Sequence, residues 1–310
     1  MEFGTVEKEH MKRTRTVLTE EKKAEIEMHL ENSQIANERV TTRQLETLAN
    51  VSHGTVVKSL HELHYHPYKI QTVQELYPED FANRMDFCEI MLNLIDEDPD
   101  FLQSIWFSDE ATFTLHGEVN RHNMRIWSKE NPHAFREEPL HSEKIMVWCA
   151  ISVFGILGPY YFDGNVNNEN YLMLLKEFHR DLKSKFPTQS KTAILQQDGA
   201  PPHWHKSVRS WLNQNIKWIG RSSPYISWPP RTPDLAPNDF FLWGFLKSLV
   251  YHDGKPVPTI AELKRRINTA CRKVTTEMLT KTINESFVNR LKKCLEYDGG
   301  HVEIEYGKNA

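Results

Sequence analysis

Apolar side chains in the first part of the chain recur at every third or fourth position, which is the spacing of amphipathic helices. Helices are predicted after Thr19, from Thr41 and from Thr55. A supporting helix followed by a short helix, a turn of about four residues and a second helix is the helix-turn-helix pattern. We therefore predict a helix-turn-helix domain over residues 19–65, although small three-helix bundles with no DNA role have the same periodicity.

The pattern changes from about residue 102 onwards, where short apolar runs rich in β-branched and aromatic residues begin. Such runs are typical of buried strands. Strands are predicted over 104–109, 144–151, 158–162 and 193–198. Helices are predicted over 78–94, 168–185, 203–213, 239–250, 259–273 and 276–297. Strands followed by alternating strands and helices predict an α/β domain with a mixed sheet.

Proline positions mark the segments between these parts. Residues 66–77 break the helical periodicity and read as a linker, so the second domain is predicted to cover 78–310. Residues 221–238 hold five prolines and cannot form a regular element. Residues 1–18 read as an N-terminal arm that contains a short basic stretch.

Composition narrows the class of protein without naming a function. The chain has 310 residues, of which 39% are hydrophobic and 26% charged, so it can build a sizeable core and is not globally disordered. A net charge of −4 argues against a uniformly basic nucleic-acid binder. The four cysteines form no CxxC pair, and no apolar run approaches the roughly 18 residues of a membrane span.

Three aspartates stand where an α/β fold gathers its functional residues. Asp109 ends the first predicted strand, Asp198 ends a later strand, and Asp239 begins a helix after the proline-rich segment. Carboxylates that converge at one place repel one another unless a cation lies between them, and oxygen ligands suit Mg²⁺ or Mn²⁺. Two such ions can activate a hydroxyl nucleophile and stabilise the leaving oxygen of a phosphodiester. By spacing alone, however, ordinary capping roles account better for these aspartates.

The words around the aspartates carry a family resemblance. FSDE, QQDGAPPH and TPDLAPNDFFLW, in this order, resemble the catalytic core of mariner/Tc1-type transposases, particularly divergent arthropod-type members. The resemblance runs from about residue 40 to the end of the chain. It implies an RNase H-like fold in which Asp109, Asp198 and Asp239 form a DDE/D triad that is both catalytic and metal-binding. Forty residues separate Asp198 from Asp239, which is longer than the family's typical interval and indicates a variant subgroup.

The resemblance also implies an activity and its partners. A transposase of this type would use Mg²⁺ or Mn²⁺ to cut double-stranded DNA at terminal inverted repeats and to join the freed 3′-hydroxyl to a TA target. It would act in the nucleus as a homodimer on DNA, without a membrane, with the linker and the loop after Trp127 as expected dimer contacts. A domesticated or degenerate DNA-binding protein without catalysis is the alternative, and a different RNase H-like nuclease is a third possibility.

DNA-contacting residues are assigned from helix position and by analogy with the family. The start of the third predicted helix would present Ser52, His53, Thr55 and Lys58 to base edges. Lys12, Arg13 and Arg15 would contact DNA from the N-terminal arm. The family has two DNA-binding modules, and only about 108 residues precede Asp109, so the first module is expected to be absent.

Two acidic residues close to the triad are given other roles. Glu110 follows Asp109 directly, so it is expected on the opposite face of the strand and is left out of the triad. Asp234 is interpreted as a structural, turn-forming residue. His203 is expected at a helix start beside the active site, and Trp243 is expected to pack in the core.

Overall fold

The computed structural model describes residues 19–35, 40–66, 73–117, 143–252 and 255–303. The chain divides into two compact units, Met1–Gln71 and Thr72–Ala310. The predicted linker, 66–77, spans this division. The predicted arm, 1–18, lies outside the described residues.

The N-terminal unit contains three helices, α1 (Glu20–Ile35), α2 (Thr42–Leu48) and α3 (His53–Glu62). They enclose a small core, whose buried residues are Ile26, Leu45, Ala49, Val51 and Val56. Four residues join α2 to α3, and Asn50 in this turn adopts a left-handed conformation with φ of 49°. The third helix begins two residues earlier than predicted because Ser52 caps it, accepting a hydrogen bond from the Thr55 amide.

The second unit is built on a five-stranded sheet. Its strands are β1 (Ile105–Thr114), β2 (Lys144–Ser152), β3 (Gly155–Phe162), β4 (Ile194–Gln196) and β5 (Lys217–Ile219). They lie in the order β3-β2-β1-β4-β5. The pairs β3/β2 and β2/β1 are antiparallel, whereas β1/β4 and β4/β5 are parallel, so the sheet is mixed as predicted.

Eight helices of the described chain accompany the sheet. They are α4 (Pro78–Glu97), α5 (Asn168–Lys185), α6 (Pro201–Trp204), α7 (Lys206–Asn215), α8 (Gly244–Val250), α9 (Ile260–Cys271), α10 (Thr276–Thr280) and α11 (Val288–Glu296). Two π-helical turns, Asn238–Trp243 and Lys281–Phe287, lead into α8 and α11. None of the described helices is both long and apolar enough to cross a bilayer.

Separate hydrophobic cores form on the two faces of the sheet, because successive strand side chains point to opposite sides. Ile105 and Phe107 join the larger core, with α4, α9 and α11. Trp106, between them, joins the second core with α5 and α7. Helices therefore cover each face of the sheet, and the end of the sheet towards which β1 and β4 both run stays open.

Several boundaries differ from the predictions for identifiable reasons. The predicted helix 203–213 is interrupted at His205, whose ring accepts a hydrogen bond from the Ser207 amide and starts α7. The first strand continues past Asp109 to Thr114 because it pairs with β2 along that whole length. Strand β5 has only three residues, too few to show an alternating pattern, and was not predicted.

Candidate active site

The two strand-end aspartates are brought side by side by the register of the parallel pair β1/β4. Phe107 pairs with Gln196, and two residues further along each chain stand Asp109 and Asp198. Parallel strands leave the sheet at a shared edge, so both side chains reach the same crevice.

Asp239 reaches this crevice on the π-helical turn Asn238–Trp243, which is fixed to the sheet at both ends. At its start, the Asn238 amide donates to the Cys149 carbonyl over 3.0 Å, and Cys149 is the β2 partner of Asp109. At its end, the Trp243 indole N–H donates to Asp109 Oδ2 over 2.7 Å. Trp243 packs in the core, as expected, and also orients the first aspartate.

All three aspartates line one cavity of about 910 Å³. Glu110 lines it as well, together with residues of α4 and of the proline-rich segment. The cavity is therefore strongly acidic along the sheet edge. Asp234 is not among the residues that line it.

Burial and crowding of negative charge disturb two of the aspartates. Burial, followed by the charges of Asp239 and Glu110, raises the pKa of Asp109 well above its ordinary value. Burial, followed by the charge of Asp198, raises the pKa of Asp239 to about 6. Burial and neighbouring negative charge thus both disfavour the ionised forms of these two carboxyl groups.

Asp198 is instead held by a buried histidine. His203 of α6 contacts Asp198 Oδ1 through Nδ1 at 2.5 Å and Glu110 Oε1 through Nε2 at 3.0 Å. The Tyr171 ring stacks on the imidazole with centroids 4.0 Å apart. Gln197 links the two, since it accepts from the Tyr171 hydroxyl and donates to the His203 carbonyl.

The two carboxylates make this histidine a cation. Burial alone would lower the pKa of His203, but Glu110 and Asp198 outweigh it and raise the pKa to about 10. A protonated imidazole donates from both ring nitrogens, so it bridges the carboxylates. Burial would raise the pKa of Asp198, but the hydrogen bond and charge of His203 lower it. Asp198 is consequently an oriented anion at neutral pH.

Glu110 is the functional candidate that sequence reasoning missed. The prediction that it faces away from Asp109 is correct, because it points towards the α6 side of the sheet. It was left out of the triad, and the structure adds that it lines the cavity and contacts His203, the partner of Asp198. The adjacent carboxylate in FSDE and the histidine in DGAPPH were the available signals, but their contact spans 93 residues of chain.

The segment that precedes Asp239 is tied to α4 by two arginine–aspartate pairs. Arg84 and Asp234, both buried, form two parallel hydrogen bonds of 2.7 Å. Arg231 binds the buried Asp80 in the same forked manner. Asp234 therefore has a structural contact, in line with its interpretation as a structural residue.

The donor set at the sheet edge suits a hard divalent cation. Carboxylate oxygens are the ligands that Mg²⁺ and Mn²⁺ prefer, and a cation would offset the charge that raises the pKa values of Asp109 and Asp239. Among the described residues, no three His, Cys, Asp or Glu side chains converge tightly enough to form a metal cluster. Asp109 and Asp198 are each turned towards a neighbouring side chain, Trp243 and His203. The residues thus fit a metal by chemistry rather than as a preformed cage.

The predicted DNA contacts lie outside this site. Ser52 and His53 are exposed at the start of α3, Thr55 is half-buried, and Lys58 is 70% exposed beside Glu62. Ser52 and Thr55 also bond to each other, so both take part in capping the helix. Lys12, Arg13, Arg15 and the loop after Trp127 lie outside the described residues.

Two curated proteins resemble the chain in sequence. The transposable element Tc3 transposase of Caenorhabditis elegans is 30% identical over 198 residues, which are 63% of this chain and 56% of that protein. The human histone-lysine N-methyltransferase SETMAR is 23% identical over 276 residues, which are 86% of this chain and 38% of that protein. The chain thus spans about half or less of the curated relatives it matches. No protein-family model matches the chain.

Solved structures of Mos1 transposase share the fold. A Mos1 mariner paired-end complex with Mg has a TM-score of 0.75 at 22% identity, covering 97% of this chain and 85% of that one. A Mos1 strand transfer complex has a TM-score of 0.73 at 21% identity, covering 98% and 82%. The Mos1 catalytic domain alone has a TM-score of 0.57 at 22% identity, covering 75% and 100%. The fold is therefore RNase H-like in its sheet-containing unit, with a helical N-terminal region.

Proposed function

We propose that this chain, which resembles mariner/Tc1-type transposases in sequence and shares their fold, is a DNA transposase that cuts and joins DNA. The observation that carries the proposal is the delivery of Asp109, Asp198 and Asp239 to one acidic cavity at the sheet edge. The sequence similarity to Tc3 transposase supports it independently.

Divalent metal is the proposed cofactor, with the three aspartates as its ligands. Bound Mg²⁺ or Mn²⁺ would supply activation of a hydroxyl nucleophile and stabilisation of the leaving oxygen in phosphodiester chemistry. The protein's own contribution is orientation: Trp243 fixes Asp109, and His203 fixes Asp198 as an anion. No side chain is proposed as a covalent nucleophile.

DNA recognition is assigned to the N-terminal unit. Ser52, His53, Thr55 and Lys58 of α3 are proposed to meet base edges and phosphates, and Lys12, Arg13 and Arg15 to add contacts from the arm. Terminal inverted repeats, a TA target, a homodimer on DNA and a nuclear location complete the proposal. The solved Mos1 complexes are paired-end and strand-transfer assemblies, which supports a dimer that holds two ends.

A plasmid-nicking assay tests the catalytic part. The purified chain is expected to nick supercoiled DNA only with Mg²⁺ or Mn²⁺, and Asp198→Ala is expected to abolish the reaction. Asp163→Ala, an exposed aspartate after β3, is the matched control and should retain full activity. Equal activity of wild type and Asp198→Ala would exclude the proposed site.

Product analysis separates the other functions. A transposase joins a 3′-hydroxyl end to a second DNA, whereas a different nuclease of this fold gives cleavage alone. A DNA-binding protein without catalysis would retard DNA in a gel but show no metal-dependent nicking. Joined products that depend on Asp198 are the result expected here.

A further inference from the structure

Two arginines and a tryptophan form a cationic cluster beside the acidic cavity. The guanidinium carbon of Arg221 lies 4.4 Å from the centre of the Trp204 ring, and that of Arg209 lies 4.9 Å from it. Trp204 is 39% exposed, although large apolar side chains in this unit are mostly buried. The cluster comes from three elements: α6, α7 and the loop after β5.

Arg221 is held at the rim of the cavity next to Asp198. Its side chain passes so close to Gly199 that a Cβ there would lie 3.1 Å from Arg221 Cβ. The loop that carries it is fixed by backbone bonds, from the Gly220 amide to the Ile226 carbonyl and from the Trp228 amide to the Gly220 carbonyl. The guanidinium is therefore positioned by packing, and it forms no ion pair with any carboxylate that the structure describes.

No carboxylate in the described part of the chain neutralises the charges of the cluster. Two arginines, Arg221 and Arg231, line the cavity, and Arg231 is paired with Asp80. Neither Arg221 nor Arg209 forms an ion pair with a carboxylate in the described part of the chain; Arg209 donates instead to the Trp204 carbonyl. Stacking on an indole holds a guanidinium while leaving its N–H edge free for an anion.

This arrangement suits a phosphate that approaches an acidic site. DNA backbone is repelled by the four carboxylates at the sheet edge, so cations at the rim are needed to hold it there. Guanidinium groups match phosphate oxygens with two parallel hydrogen bonds.

We propose that Arg221 and Arg209, supported by Trp204, each bind a backbone phosphate of the DNA strand whose neighbouring phosphodiester lies among the aspartates. The inference rests on the proposed function, since it names how that site holds its DNA. Arg221 contacts the phosphate at the cavity rim, and Arg209 extends the contact along the strand. Trp204 is a positioning residue that acts through both arginines.

The test is a salt titration of DNA binding with the full chain. The probe is a fluorescein-labelled random-sequence duplex in EDTA, followed by fluorescence anisotropy. The slope of log K against log[salt] is negative, and each lost phosphate contact should reduce its magnitude by about 0.9. Arg221→Ala and Arg209→Ala should each show this change. Affinity at low salt should fall about tenfold for Arg221→Ala, as expected for a charge-assisted bond.

Matched variants complete the design. Arg180→Ala removes an exposed arginine of α5 that is already paired with Glu177 and Asp181, so its slope should equal that of wild type. Trp204→Ala should show part of the change in salt slope seen in the arginine variants. Trp204→Phe keeps an aromatic ring, so its salt slope should lie closer to that of wild type. Unchanged slopes in both arginine variants, with unchanged circular dichroism, would overturn the inference.

The outcomes distinguish this site from the proposed function. Metal-dependent nicking with wild-type slopes in Arg221→Ala and Arg209→Ala would leave the transposase proposal standing and remove the phosphate site. Arginine-dependent slopes in a protein that never nicks DNA would do the reverse. A wild-type chain that does not bind the duplex at any salt concentration counts against both.

Discussion

A single protonated imidazole links the two faces of strand β1. Glu110 follows Asp109 on β1, and His203 connects it to Asp198 by contacting both carboxylates. Mutation of the partners that orient metal ligands typically costs about 10- to 100-fold in metal affinity or activity. Glu110 is therefore a positioning residue, whereas the three aspartates are proposed to act directly.

Replacing Glu110 by Gln tests this role. The amide preserves the size of the side chain but removes the charge that keeps His203 protonated, so Asp198 should be held less firmly. The Mg²⁺ concentration needed for half-maximal nicking should rise roughly tenfold. Glu169→Gln, an exposed residue in the first turn of α5, is the control.

Measuring the melting temperature in EDTA separates positioning from mere stability. A lower melting temperature with an unchanged Mg²⁺ dependence would mean that Glu110 only stabilises the fold. A shifted Mg²⁺ dependence in a protein that melts normally is the result we expect.

At the residue scale, the sequence predicted the three aspartates and a nearby His203, but not the contacts that orient Asp109 and Asp198. Asp109, Asp198 and Asp239 were found because they stand at element ends inside recognisable words. The link from Asp198 through His203 to Glu110 was not predictable, because it depends on how α6 returns to the sheet. Trp243 was assigned to the core, and no local pattern shows that its N–H also meets Asp109.

Among the secondary-structure elements, α4 and the proline-rich segment are joined by the buried pair of Arg84 and Asp234, in addition to Arg231 and Asp80. Arg84 donates to both oxygens of Asp234 and also to the carbonyls of Gly299 and Gly300. The Val302 amide donates to the same carboxylate. The pair thus joins α4, the turn before Asp239 and the chain that follows α11.

Asp234→Asn should therefore destabilise the second unit. An amide cannot accept both bonds from Arg84, and breaking a buried pair costs about 3–5 kcal/mol in the free energy of unfolding. Urea unfolding at pH 7 measures this loss. Asp163→Asn, which is exposed, should change the free energy of unfolding by less than about 0.5 kcal/mol.

The same variant predicts a pH dependence. Burial alone would raise the pKa of Asp234, but the hydrogen bonds and charge of Arg84 lower it below its ordinary value. A lowered pKa in the folded state contributes stability above the unfolded pKa of about 3.9, and this contribution is lost as the pH falls through the folded pKa. The difference in free energy of unfolding between wild type and Asp234→Asn should therefore become smaller below about pH 4. A constant difference down to acid unfolding would contradict the ion-pair interpretation.

Helix α3 allows capping and DNA contact to be separated. Ser52→Ala removes the N-cap and should cost about 1 kcal/mol in the stability of the N-terminal unit. Lys58 is exposed, so Lys58→Ala should leave stability within about 0.5 kcal/mol. If Lys58 contacts a phosphate, its loss reduces the magnitude of the slope of log K for DNA against log[salt] by about 0.9. A wild-type slope in Lys58→Ala would remove it from the DNA interface.

Long periodic elements could be predicted, and short ones could not. Helices α4 and α5 were expected from their apolar spacing and were found near the predicted bounds. The π-helical turn Asn238–Trp243 was predicted as ordinary helix because its spacing differs by only one residue per turn. Its geometry is fixed by the Asn238 bond to β2, which is a tertiary contact.

At the scale of the whole molecule, DNA recognition is proposed for the N-terminal unit and DNA cutting and joining for the second unit. Residues 1–76 carry 10 Lys and Arg against 12 Asp and Glu, so DNA affinity there has to come from placed contacts. The second unit concentrates negative charge in the cavity that receives the three aspartates. A general positive field is absent from the chain as a whole, whose net charge is −4.

This division predicts that variants of the two units act independently. Lys58 contacts Glu62, and Glu110 contacts His203, so the two residues share no partner. Free-energy effects of changes without shared partners add to within about 0.5 kcal/mol. The nicking rate should be measured in single turnover below saturating DNA. The loss in the double variant, expressed as activation free energy, should equal the sum of the losses in Lys58→Ala and Glu110→Gln.

The separate kinetic constants sharpen that expectation. Lys58→Ala should weaken DNA binding while the rate at saturating DNA is retained, because α3 takes no part in the chemistry. Glu110→Gln should lower the rate at limiting Mg²⁺ while DNA affinity in EDTA is retained, because Glu110 acts through His203 on Asp198, a proposed metal ligand. A double variant whose loss exceeds the sum by more than about 1 kcal/mol would show coupling between the units. Recognition by α3 would then have to alter the site at the sheet edge.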